Sequence, residues 1–156
     1  MATTSSSGGD GAFELRAVRT IGLDGARPVI EAAERRAEAI GVPMNIAVVD
    51  RGGNLVAFER MDDAWLASTD IAIDKAYTAV SLAMPTSDLE KPVQPNQSLY
   101  GLNTTNDGRL VVFGGGIPLV HGEEVVGAIG VSGGAVDEDV EVAQAGVDAF
   151  SEPLED

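Results

Sequence analysis

The sequence predicts an α/β (α+β) domain: an antiparallel sheet of about five strands with flanking helices. Three observations carry this. An apolar stripe at helical spacing runs from Leu23 to Ile40. Two strand-like runs flank the turn Asp50-Arg51-Gly52-Gly53-Asn54. Three more strand-like runs, joined by Gly-rich turns, precede a last acidic helix.

Each element has its own signal. Leu23, Ala26, Ile30, Ala33, Ala37 and Ile40 recur every three or four residues, with Glu31, Glu34, Arg35 and Glu38 on the wet side. Gly41 and Pro43 end this helix, and Pro28 lies early in it. Residues 13–19 read equally as a strand or a helical turn. Met44 to Val49 and Leu55 to Arg60 form a hairpin, because Gly52-Gly53 tolerates positive φ and the Asp50 and Asn54 side chains bond nearby backbone. Ser68 or Thr69 is positioned to cap a second helix that runs to about Ala83 and stops before Pro85. Residues 85–108, with Pro, Asn and Gly, read as loop with short helical turns. Leu110 to Phe113, Pro118 to His121 and Glu124 to Ser132 are the remaining strands. Asp137 or Asp139 opens the last helix, acids near its positive end.

Composition narrows the function classes. The chain has 156 residues and a net charge of −15, a surface that repels nucleic acid phosphates and anionic lipid. No apolar run is long enough for a membrane span. Residues 1–11 are rich in Ser, Thr and Gly and read as a disordered tail, leaving 12–156 as one domain. Cysteine is absent, which removes thiolate chemistry and disulfides and suits the cytoplasm. Eight Arg and two Lys, Lys75 and Lys91, make up the ten cations. An acidic, Lys-poor surface fits a salt-loving source; an ordinary acidic protein is the alternative. Under the halophilic reading the thermal midpoint rises from low to molar KCl, as the screening length falls to roughly 3 Å at 1 M. A flat or falling midpoint removes that reading.

Four segments follow in fixed order: residues 49–61, Asp74-Lys75-Ala76-Tyr77-Thr78-Ala79, Gly114-Gly115-Gly116-Ile117-Pro118-Leu119, and Gly127-Ala128-Ile129-Gly130-Val131-Ser132-Gly133-Gly134. Together they resemble the GlcG/HbpS family of haem-binding-like proteins, a domain also found at the C-terminus of PduO-type proteins. The resemblance covers roughly residues 20–150. It implies a profilin- or PAS-like layout, a homo-oligomer, and haem or another tetrapyrrole as ligand. The adenosyltransferase activity of PduO-type proteins belongs to a separate domain and does not carry over.

The residues able to carry chemistry are few. Lys75 stands in the mostly apolar run Ile71 to Leu82 of a Lys-poor chain. It reads as a cation facing a ligand carboxylate or an amine of lowered pKa, or else as an ion-pair partner of Asp50, Asp62 or Asp74. Arg60, Met61 and Asp62 end the second strand. Arg60 can fork onto a carboxylate and Met61 can offer a thioether, or the three form a surface pair and a core methionine. Asp50 reads as a turn-holding acid or a site acid. Gly114, Gly115 and Gly116 lack the strand–GxGxxG–helix context of a nucleotide loop; they form a tight hairpin or admit a ligand to the backbone. Ser132, with Gly130 and Gly133, raises the same choice and has no base partner for a triad. His121, the only histidine, sits at a turn and reads as a polar turn residue or a ligand. No cluster has metal-ligand spacing.

Two functions follow, with a ligand-free structural partner or sensor accessory as a third class. One is a small-molecule-binding protein of the GlcG/HbpS kind. The other is an enzyme acting on a small carboxylate or hydroxy acid, with Arg60 holding the carboxylate and Lys75 as acid or base. In either, Lys75, the Arg60-Met61-Asp62 strand end and the Gly114–Gly116 turn are expected to share a pocket. Neither face of the strand Val125 to Ser132 is polar, so both need covering. With three helices on one face, the other is left for a partner chain or the long loop.

Overall fold

A computed structural model describes residues 12–151, so the 1–11 tail lies outside it. Helix α1 (Leu23–Ile40) buries Ala26, Ile30, Ala33 and Ala37 of the expected stripe and adds Val29, while Leu23 is exposed and Ile40 only partly buried. Gly41 ends it at φ 73°, and its N–H meets the Ala37 and Glu38 carbonyls. Strands β1 (Asn45–Asp50) and β2 (Leu55–Arg60) pair antiparallel. Asp50 holds their turn: its Oδ1 accepts the N–H groups of Gly52 at 2.9 Å and Asn54 at 3.0 Å. Helix α2 (Ala67–Leu82) follows, then short 3₁₀ turns at Thr86–Leu89, Leu102–Thr104 and Asn106–Gly108. Strands β3 (Gly116–His121) and β4 (Glu124–Ser132) and helix α3 (Val136–Ser151) complete the order.

The sheet has four strands in the order β2-β1-β4-β3, with every neighbour antiparallel. The expected fifth strand, Leu110 to Phe113, does not form. Its backbone is claimed by side chains: the Val111 N–H donates to Thr78 Oγ1 at 3.0 Å, and the following Gly114 N–H donates to Glu90 Oε1 at 3.1 Å. The expected cap of α2 also differs. Leu66 is the N-cap, without a side-chain bond. Thr69 instead donates to Asn45 Oδ1 at 3.2 Å, while Asn45 Nδ2 donates to the Trp65 carbonyl at 3.0 Å. A buried asparagine on β1 thus fixes the entry to α2.

The helices divide between the two faces of the sheet, which corrects the expectation of three on one side. Ala72, Ala76 and Ala79 of α2 pack on Ala47, Val49 and Ala128. On the other face, α1 and α3 place Val29, Ala33, Val142 and Ala143 against Ile46, Val48, Ile129 and Val131. The chain therefore covers both faces of β4 itself, and the two-sided apolar strand no longer calls for a partner. The α2 face is thin because its contacts are alanine and glycine. A Cβ on Gly130 would land on the Ala72 carbonyl oxygen and lie 2.5 Å from the Ala76 nitrogen. Among the described residues, no helix is long and apolar enough to cross a membrane.

Candidate functional site

Lys75 sits at mid-helix in α2, where its stem passes beneath the glycine run that leads into β3. It is fully buried. Its Nζ donates to Asp139 Oδ2 at 2.8 Å and to the Val131 carbonyl at 2.9 Å, and lies 5.1 Å from the centre of the Phe113 ring. Its ion-pair partner is thus Asp139, not Asp50, Asp62 or Asp74. Asp139 belongs to the first turn of α3, whose positive end favours a carboxylate. Its other oxygen accepts the Gly134 N–H at 2.9 Å. Burial pulls the Lys75 amine below its usual range and pushes the Asp139 carboxyl up; the opposite charge on each partner counters both shifts.

The triple glycine is the saddle over this pair. A Cβ on Gly115 would stand 2.6 Å from Lys75 Nζ and 2.6 Å from the Val131 oxygen, and one on Gly114 would stand 2.7 Å from Val140 Cγ2. Gly115 has φ 127°, and the Gly116 N–H donates to Thr86 Oγ1 at 3.0 Å. The run is not a hairpin between two strands, since the segment directly before it, Leu110 to Phe113, is not a strand. Its glycines let this backbone close on α2 and α3 at once.

On the outer side of Phe113 opens a cleft of about 810 Å³, lined by Val93, Val112, Phe113, Val136 and Val140, with Glu90, Gln94 and Asp137 as polar groups. That is within the roughly 300–1,000 Å³ of small-molecule sites. Phe113 is 40% exposed and Val136 39%, so apolar surface is presented there. The Lys75–Asp139 pair lies behind this cleft, not in it: Phe113 separates them.

The other expected site residues lie elsewhere. Arg60, Met61 and Asp62 line a depression of about 360 Å³ with Glu34, Glu38 and Glu59. Arg60 donates to the Ala64 carbonyl at 2.8 Å, and Met61 Sδ is 3.4 Å from the Met44 nitrogen. Asp50 holds its turn, and Ser132 is buried opposite Asn45 at the end of β4. His121 is exposed at the end of β3, beside Arg19 and Glu123 in a third depression. The structure joins Lys75 to the glycine run but not to Arg60. The groups that sequence reasoning missed are Phe113, Glu90, Asp139, Val136 and Val140. A signal existed for two of them: Val136 and Val140 are one turn apart on an otherwise acidic helix start.

The acidic depression carries its own pH dependence. Burial raises the Glu59 carboxyl to about 7, helped by the neighbouring carboxylates of Glu34, Glu38 and Glu31. The folded value lies above the ordinary 4.5, so the folded state binds the extra proton between these limits. The stability this proton contributes is whole below about pH 4.5 and is lost as pH rises through about 7. Glu59→Gln is therefore expected to raise the thermal midpoint at pH 8 and flatten its fall from pH 5 to pH 8. An unchanged profile would show that Glu59 ionises freely.

Known proteins place this architecture. Residues 21–148 match the family described as haem degrading protein HbpS-like. An uncharacterized 15.0 kDa protein from the dhaT-dhaS intergenic region of Citrobacter freundii is 47% identical over 135 residues, covering 86% of this chain and 95% of that one. The protein GlcG of Escherichia coli K12 is 32% identical over 107 residues, covering 69% of this chain and 77% of GlcG. The crystal structure of a PduOC:haem complex superposes with a TM-score of 0.82 at 34% identity, covering 88% of this chain and 99% of the other. With its four-stranded sheet, its helices on both faces and these relatives, the chain belongs to the HbpS-like family.

Proposed function

We propose that this protein binds a flat, mainly apolar small molecule, haem or another tetrapyrrole, in the cleft outside Phe113. The observation that carries the reading is the cleft itself: an exposed phenylalanine faces two valines of α3 across about 810 Å³. The haem held by the related PduOC protein supports the choice of ligand. The walls fit a macrocycle. Phe113 offers a stacking face, and Val93, Val112, Val136 and Val140 exclude water from the ring. The rim fits iron less well. Among the described residues, no histidine, methionine or tyrosine lines the cleft; its polar side chains are Glu90, Asp137 and Gln94. Haem, when bound, would supply a redox-active iron; the chain's own part is to hold and orient the ring.

Titration with haemin tests this. The expected result is a saturable Soret shift at one ligand per chain, lost or weakened tenfold or more in Phe113→Ala, which removes a contact worth about 1.5–3 kcal/mol of burial. A weak shift without stoichiometry, indifferent to Phe113→Ala, would mark adsorption and end the reading. A homo-oligomer in the cytoplasm is part of the same proposal. Trp65, Leu66 and Tyr100 are 66%, 81% and 70% exposed, apolar surface that a second copy of the chain would cover.

A further inference from the structure

The cleft is apolar in its walls and anionic at its rim. Its charged side chains are Glu90 and Asp137, and among the described residues no Lys or Arg lines it. Two of the cations nearby, Lys75 and Arg36, are already engaged. The Lys75 ammonium is buried behind Phe113, 2.8 Å from Asp139. Arg36 lies in the adjoining depression, bonded to Glu141. Lys91 follows Glu90 in sequence but is not among the lining residues. Glu90 is held in place, its Oε1 accepting the Gly114 N–H at 3.1 Å. The whole chain adds a net charge of −15. An anionic group brought to this rim meets two carboxylates and, among the described lining residues, no counter-charge.

From this we infer that the cleft selects flat apolar ligands without negative charge at the rim, so that the two carboxylates of haem oppose its binding. The inference rests on the reading of the cleft as a ring-binding site and names the ligand class that site prefers: a neutral or cationic ring. The physical cause is Coulomb repulsion in a wet rim, where it is modest per pair but sums over several pairs. Salt must weaken it, because the screening length falls from about 30 Å at 0.01 M to 3 Å at 1 M.

The test compares haemin with its dimethyl ester, which has the same ring and no carboxylate charge, by absorbance titration of the full chain. At about 10 mM NaCl the ester is expected to bind about tenfold tighter than haemin, and the gap is expected to close towards 1 M. Asp137→Asn should strengthen haemin binding at low salt and leave the ester unchanged; Glu90→Gln should do the same if its tether to Gly114 survives. Haemin binding tighter than the ester at low salt, and weakening as salt rises, would overturn the inference, since a cation would then be gripping the carboxylates. Val136→Trp fills the cleft and separates this failure from that of the parent reading. If neither ligand saturates, or if Val136→Trp changes neither affinity, there is no ring site in the cleft, and the inference falls with it.

Discussion

Lys75→Met is expected to lower the thermal midpoint by on the order of 10 °C. The substitution keeps most of the stem's apolar contact and removes the ammonium. Asp139 is then left in a site where its side chain is only 4% exposed, facing a carbonyl oxygen instead of a cation. Breaking a buried pair from one side costs about 3–5 kcal/mol. In a domain of this size each kcal/mol moves the midpoint by about 2–4 °C. The matched variant Lys75→Met/Asp139→Leu removes both charges and should recover most of the loss, since replacing a whole buried pair by apolar groups is often neutral. Calorimetry on the three proteins decides. A Lys75→Met midpoint within a degree or two of the parent would mean that the pair contributes nothing.

Gly130→Ala should be nearly as damaging although it adds one methyl group. The new Cβ would fall on backbone, the Ala72 carbonyl and the Ala76 nitrogen, not on a side chain able to rotate away. Overpacking costs about 1–3 kcal/mol where neighbours can yield, and more where they cannot. Here α2 would have to lift from β4, loosening Ala72 and Ala76 from Ala47 and Ala128. A denaturant midpoint near that of the parent would contradict this. Gly22→Ala serves as the control, because its Cβ would meet nothing within 4 Å.

Much of the fold was legible because its signals are local. The α1 stripe, the Gly41 stop and the Asp50-centred turn are written within a few residues each. What could not be read depends on contacts far apart in sequence. Leu110 to Phe113 has strand-like residues, but Thr78 and Glu90 reach its backbone from other elements. The split of helices over two faces is set by the alanines of α2 meeting glycine and alanine on β4, a match between segments and not a pattern in either. Lys75 stood out correctly as unusual. Its partner was hidden because Asp139 is 64 positions away and already explained by its place at a helix start. The cleft was missed for a similar reason: its walls come from residues 93, 112–113, 136 and 140, and apart from the Val136–Val140 pair these segments read as ordinary apolar filling.

The stretch from Leu110 to Gly114 is hung from two side-chain acceptors, not woven into the sheet. It is a wall of the cleft that the ladder bonds of the sheet do not hold. Detaching Val111 from Thr78 and Gly114 from Glu90 breaks two hydrogen bonds and leaves all four strands paired. Leu110 and Gly114 are buried at its two ends, so packing anchors the strap together with these two bonds. The position of Phe113, and with it the shape of the cleft, therefore depends on Thr78 and Glu90, two side chains outside the sheet.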